Sequence, residues 1–141
     1  MQTVLIHPML IHFPIVLILV GFLADLIHVA WPKIPCLSKI GFYLEILGFI
    51  AAIFAVLSGL FLTTEMEGEA GLAREQHELF AIITLITITI ATAFRIFIVA
   101  KKIEDGSFRY ISLFLFFLAA GFVSYTGFLG GALVWDFLIG I

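Results

Sequence analysis

Four stretches of this 141-residue sequence are long and apolar enough to cross a membrane as helices. A helix that spans the hydrocarbon layer needs about 20 mostly apolar residues, and each of the four runs meets that length. We predict helices at about 8–30, 39–63, 78–100 and 109–133. The sequence therefore predicts an all-α protein.

The composition identifies the solvent of these helices. Hydrophobic residues make up 63% of the chain and charged residues 12%, whereas charged residues are about a quarter of a soluble domain. The connections are too short for a separate soluble domain, so residues 1–141 are predicted to form one up-down-up-down four-helix bundle in the lipid bilayer. The net charge of −3 gives no basic surface for nucleic acid.

The positions of the cations predict the orientation. Lys33 and Lys39 lie in the first connection, and Lys101, Lys102 and Arg109 lie in the third. Lys and Arg are retained in short cytoplasmic loops. We therefore expect the second connection and both termini on the outer side, which for a bacterial inner membrane is the periplasm.

Two histidines and two prolines lie within eight residues at the start of the first helix, in the sequence HPMLIHFP from His7 to Pro14. Proline inside a helix removes a hydrogen bond and clashes with the carbonyl four residues earlier, so we expect a break near residues 10–14. Histidine titrates near neutral pH and is a common metal ligand. This combination indicates a site at the outer end of the bundle.

The alternating topology brings the start of the first helix, the start of the third and the end of the fourth to the same side. Haem iron commonly takes histidine as an axial ligand, and bundle cores host cofactors between facing helices. One hypothesis is therefore a b-type haem with His7 or His12 on one face and His77 on the other. The candidate cofactor-binding residues are His7, His12, His77, Tyr125, Gly127, Gly130 and Gly131.

Two alternatives for these histidines remain open. His7, His12 and His77 with Glu75 or Glu78 form a plausible ligand set for zinc, copper or iron, although the spacing matches no specific motif. The histidines also have a purely structural interpretation, as side chains that hydrogen-bond loop carbonyls and the ends of broken helices.

Three ionisable residues fall inside the predicted spans at similar depth, toward the other side of the membrane. They are Asp25, Glu45 and Arg95. Ionisable residues within a membrane are candidates for function, so one interpretation is a proton or ion path. The other is a set of charge pairs that locks three helices together.

Two motifs carry a resemblance to a known family. His7-Pro8 through His12-Phe13-Pro14, and the segment YTGFLGGALV at 125–134, resemble the HPxxxHFP and YxGxxGGxLV markers of a bacterial family of four-helix inner-membrane proteins of unknown function. The resemblance spans nearly the whole chain. Members that occur with cytochrome c modules imply a haem-related role. The family pattern has a histidine soon after the last motif, where this chain has Phe137.

These observations favour electron transfer with a membrane or periplasmic redox partner. The alternatives are a non-catalytic accessory subunit of a larger membrane complex and a membrane protein that binds a non-haem metal. The faces rich in Phe and Gly are also compatible with a homo-oligomer. No pairing of nucleophile and base and no phosphate-binding loop is evident, so hydrolase or kinase activity is not expected.

Overall fold

The computed structural model describes residues 6–138, and every regular element in this range is helical. The elements are α1 (Ile6–Leu10), α2 (His12–Ala30), α3 (Cys36–Leu62), α4 (Gly68–Ala100) and α5 (Ser107–Leu133), followed by a π-helical segment, Val134–Leu138. Counting α1 with α2, four helical segments are long and apolar enough to cross a membrane. The predicted all-α, four-span architecture is confirmed.

The third span begins much earlier than the sequence pattern suggested. The polar stretch from Thr63 to Gln76 predicts an outer loop that could contain a short surface helix, but α4 starts at Gly68, which has a positive φ of 67°, and continues without a break into the third span. The residues that follow include Ala70, Leu72 and Ala73, which are good helix formers. Glu69 lies in the first turn, where a negative charge interacts favourably with the helix dipole. Polarity was therefore a poor guide to the helix boundary.

The first span is interrupted at Ile11, within the range where a break was expected. Pro14 has no N–H to donate to the carbonyl of Leu10, as a continuous helix would require. The N–H of Ile11 still donates to the carbonyl of His7, at 3.1 Å. As a result, His7 lies on its own short helix, α1.

The helices form a ring in which α2 contacts α3, α3 contacts α4, α4 contacts α5, and α5 contacts α2. At its centre is a buried cluster made of Ile18, Ala52, Ile88, Phe116, Ala119, Ala120 and Val123. A Cβ on Gly48 would lie 2.7 Å from Ile18 Cγ1, so this glycine allows α2 and α3 to approach closely. Large apolar side chains such as Phe61 and Phe128 point outward, as expected for helices surrounded by lipid.

Polar side chains gather at the two ends of this bundle. We call one the histidine end, defined by His7, Ser58, His77 and Thr126. The other is the ion-pair end, defined by Asp25, Arg95 and Arg109. Apolar residues such as Ile18 and Ile88, both fully buried, separate the two ends.

Candidate functional site

Two imidazoles from different helices meet at the histidine end. His7 on α1 and His77 on α4 have ring centroids 6.2 Å apart, with the ring planes at 76°. Both residues are partly buried. The break at Ile11 places His7 on α1, which packs against α3 as well as α2.

Hydrogen bonds fix the tautomer of each ring. His77 Nδ1 lies 3.1 Å from the carbonyl oxygen of Thr126, and a carbonyl can only accept, so Nδ1 is the donor. Ser58 Oγ donates its proton to the carbonyl of Ala55, at 2.7 Å. Ser58 Oγ therefore accepts from His7 Nδ1, at 2.8 Å. In each neutral ring the lone pair then belongs to Nε2, and no hydrogen bond to either Nε2 occurs among the described residues.

Glycines make room for both rings. A Cβ on Gly59 would lie 3.1 Å from His7 Cε1, and one on Gly130 would lie 3.0 Å from His77 Cε1. Both distances are shorter than ordinary van der Waals contacts. These glycines therefore allow α3 and α5 to pack directly against the edges of the imidazoles.

A cavity of about 180 Å³ adjoins the imidazole pair and is lined mainly by apolar side chains. Ile15, Ala52 and Val123 form part of its wall. Polar lining groups near the second connection are Thr63, Arg74 and Glu78. The cavity is therefore an apolar space with imidazoles along it and a charged rim.

The structure brings together four of the seven candidate cofactor-binding residues. His7, His77, Gly127 and Gly130 line the cavity. His12 is exposed and does not line it. Tyr125 packs edge-on against Phe80, with ring centroids 4.6 Å apart, and is also outside the cavity.

Gly131, the last of these candidates, is exposed and would have no atom within 4 Å of an added Cβ. The three-histidine metal set is likewise not assembled, because within residues 6–138 no group of three or more His, Cys, Asp or Glu side chains is arranged to hold a metal ion. Among the described residues, the structure therefore brings two imidazoles, His7 and His77, together at this end.

The ion-pair end contains two of the three expected charges in direct contact. Asp25 lies 3.5 Å from Arg95, and it accepts a hydrogen bond of 2.7 Å from Arg109 Nη2. Arg95 also donates to Ser38 Oγ at 3.0 Å and lies 3.7 Å from Glu104. Glu45 is fully buried, but neither carboxylate oxygen has a hydrogen-bond partner among the described residues.

Sequence reasoning missed three residues of these two sites and the contact made by a fourth. Arg109 was read only as a loop cation, although it begins a buried stripe that continues through Ser112 and Phe116. Ser58 was not predicted to orient a histidine, and Thr126 was expected at the outer end with the histidines but without its hydrogen bond to His77. Arg74 lies three residues before His77, and this spacing places both on one helix face. From that spacing Arg74 could have been predicted to lie beside the histidine.

Comparison with known proteins defines the family. A family model described as "Predicted membrane protein (DUF2231)" matches residues 3–141. The chain belongs to this family. No curated protein and no solved structure matches it. Family membership agrees with the four membrane-length helices and establishes a multi-pass membrane protein, but it assigns no chemistry to the imidazole pair.

Proposed function

We propose that this membrane protein binds one b-type haem through His7 and His77 and exchanges electrons with a redox partner. The observation that carries the proposal is the fixed tautomer of both rings. Each Nδ1–H is donated to an acceptor on another helix, Ser58 Oγ or the Thr126 carbonyl. Metal-ligating histidines are usually held by such a bond at the second nitrogen, which leaves Nε2 available for iron.

The number of ligands favours haem over a bare metal ion. Structural zinc sites usually have four protein ligands, and the described part of the chain has no group of three. Haem needs only axial ligands from the protein. The two ring centroids lie 6.2 Å apart, so both imidazoles border the same space and would hold the group together.

The two imidazole nitrogens are suitable ligands for haem iron, but the volume of the cavity is small. The cavity of about 180 Å³ is smaller than the roughly 300–1,000 Å³ typical of small-molecule and cofactor sites. Binding therefore requires side chains such as Ile15 and Leu133, which line the cavity, to move apart. When bound, haem would supply a reversible one-electron centre, while Ser58 and Thr126 orient the ligands and the apolar wall limits access of water.

The position of the site determines what else electron transfer requires. His7 and His77 lie at one end of the bundle, and the apolar centre separates them from the other end. A single haem there cannot carry electrons across the bilayer. The proposal therefore includes a quinone or a membrane or periplasmic redox protein that reaches the histidine end.

We assign the histidine end to the periplasmic side of a bacterial inner membrane. The support is that all four lysines, Lys33, Lys39, Lys101 and Lys102, are exposed near the ion-pair end, and Lys and Arg favour the cytoplasmic side. Cys36, the sole cysteine, is exposed at that same end. A membrane-impermeant thiol reagent should label it only after the cells are permeabilised, and labelling of intact spheroplasts would reverse the assignment.

An absorption spectrum tests the haem proposal. Protein purified in detergent from haem-replete cells should show a Soret band and, after reduction, α and β bands of a low-spin haem. His7→Ala and His77→Ala should lose the low-spin spectrum, while the control His12→Ala, altered at an exposed residue outside the cavity, should retain it. A colourless wild-type preparation contradicts the proposal and favours the accessory-subunit alternative.

A further inference from the structure

Arg74 is a cation beside the cavity, and no residue in the described range forms an ion pair with it. The sequence around it is acidic, with Glu65, Glu67, Glu69, Glu75 and Glu78 nearby. Within residues 6–138, none of the ion pairs closer than 4.0 Å includes Arg74. Glu78 lies four residues later, but a cation that precedes an anion at this spacing is the less favourable order on a helix.

Little within the protein occupies the donors of this guanidinium. Arg74 Nη2 approaches Thr63 Oγ1 at 3.5 Å, beyond the usual hydrogen-bond range of about 2.7–3.2 Å. Thr63 Oγ1 donates its own proton to the carbonyl of Gly59, so its lone pairs face the arginine. A guanidinium has five N–H donors, and most of those on Arg74 remain available to a ligand.

The surroundings of Arg74 define the chemistry of that ligand. Arg74 and Thr63 line the same cavity as the imidazole pair, and the rest of the wall is mainly apolar. Arg binds carboxylate and phosphate groups in a bidentate manner. The Glu78 carboxylate also lines the cavity and adds a negative charge there. The single positive charge of Arg74 therefore suits a monoanion better than a phosphate, which carries a charge of about −1.5 to −2.

We infer that Arg74 forms a carboxylate receptor at the rim of the cavity, with Thr63 Oγ1 beside it as an acceptor for the guanidinium, for a ligand with an apolar body and a carboxylate end. Two sources share this chemistry. One is a propionate of haem, in which case the inference rests on the proposed function and names the contact that orients the macrocycle. The other is the carboxylate of a fatty acid whose chain enters the same apolar space.

Binding measurements with paired probes test this inference. The probes are haem b and its dimethyl ester, followed by absorption titration, and oleate and methyl oleate, followed by native mass spectrometry. Hydrogen bonds to charged groups contribute about 1.5–3 kcal/mol, so Arg74→Gln should weaken binding of the free-acid probe by about tenfold to hundredfold. The corresponding ester should bind wild type and variant alike.

Two controls test whether a loss of affinity is specific to Arg74 and whether the variant is folded. Lys101→Gln removes one positive charge at the exposed far end and should leave binding of all four probes unchanged. Helical circular dichroism of Arg74→Gln should match that of wild type, because within residues 6–138 this side chain makes one weak hydrogen bond.

The outcomes separate this inference from the haem proposal. If haem and oleate each bind wild type and Arg74→Gln equally well, the receptor is wrong, while haem binding still supports the haem proposal. If wild type binds no haem but binds oleate in a manner that depends on Arg74, the receptor stands and the haem proposal fails. If neither free acid binds wild type, or if the esters lose affinity in parallel with the acids, the receptor is overturned.

Discussion

The two ends of the bundle use their polar residues in opposite ways. At the ion-pair end, the charged groups contact one another, with Asp25 accepting from Arg109 and lying close to Arg95. At the histidine end, the imidazoles are oriented by hydrogen bonds at Nδ1, but their Nε2 atoms have no partner among the described residues. A ligand-binding site requires side chains that the protein holds in place but whose binding atoms have no partner, and the two imidazoles have this arrangement.

Each end has a cavity, and the difference between the two cavities supports the same distinction. The one at the ion-pair end, of about 330 Å³, is lined by His28, Ser38, Glu104 and Arg109, among others. Each of these four side chains has at least one partner, since His28 donates to the Ile34 carbonyl and the others contact Asp25 or Arg95, although Arg109 Nε and Nη1 have none among the described residues. At the histidine end, Arg74 forms no ion pair with any residue in the range 6–138. A buried charge in a membrane is therefore insufficient evidence of a site.

The largest effect should follow the loss of Asp25. Asp25→Ala leaves Arg95 and Arg109, both largely buried, without their shared carboxylate. Removing one partner of a buried ion pair costs about 3–5 kcal/mol. The unfolding free energy in mixed detergent micelles should fall by that order, whereas the exposed control Asp105→Ala should change little. A loss below about 1 kcal/mol would mean that the charges at this end are not a structural lock.

Glycine substitutions compare packing at the two ends. On Gly41 a Cβ would lie 2.5 Å from Asp25 Oδ1 and 3.1 Å from the Gly21 carbonyl oxygen, so Gly41→Ala must push α2 and α3 apart. Overpacking of this kind costs about 1–3 kcal/mol. Gly59→Ala should destabilise less, because the His7 ring that it meets borders a cavity.

Thermal unfolding in detergent measures both variants. Gly121→Ala is the matched control, since its added Cβ has nothing within 4 Å. Equal destabilisation by Gly41→Ala and Gly59→Ala would show that the two ends are packed equally tightly and would contradict the expected difference between them.

Ser58 tests whether the hydrogen bond at Nδ1 matters for ligand binding. Ser58→Ala removes the acceptor of His7 Nδ1–H, and loss of such an orienting partner typically costs about tenfold to hundredfold in metal affinity. Haem affinity should fall by that factor and the reduction potential should shift. Ser112→Ala is the control, because the buried Ser112 hydroxyl has no hydrogen-bond partner in the part of the chain that the structure describes. Equal haem affinities in Ser58→Ala and wild type would exclude an orienting role.

The architecture was predictable from the sequence because lipid imposes a simple rule of length and polarity. Apolar runs marked the four spans, and Pro14 marked the helix break. The start of α4 was missed because the polar segment from Gly68 to Gln76 was expected to be a loop, with at most a short helix of its own, whereas it is continuous with the third span. Hydropathy marks the apolar part of a helix and not its polar extension.

Individual contacts at the sites depended on three-dimensional details that spacing does not encode. The sequence placed His7 and His77 at one end, but it gave no means to separate them from His12, which the helix break leaves exposed. Arg109 was missed because an arginine after a turn resembles a loop residue. Ser58 and Thr126 act through hydrogen bonds between helices. The spacing of Ser and Thr residues along a membrane span does not reveal which of them make such bonds.

The smallest effect should come from Glu45→Gln, at the member of the expected ionic cluster that makes no hydrogen bond or ion pair with the other described residues. Its two oxygens accept no hydrogen bond among the described residues, although the residue is fully buried. Glu45→Gln keeps the shape of the side chain and removes only the capacity for charge, so the unfolding free energy should change by less than about 1 kcal/mol. Glu45→Ala should cost more, about 2–5 kcal/mol, because it leaves a cavity between α3 and its neighbours. If Glu45→Gln is as damaging as Asp25→Ala, then Glu45 carries a charge that Arg95 or Arg109 needs, and the ion-pair end extends one layer deeper into the membrane than the observed contacts indicate.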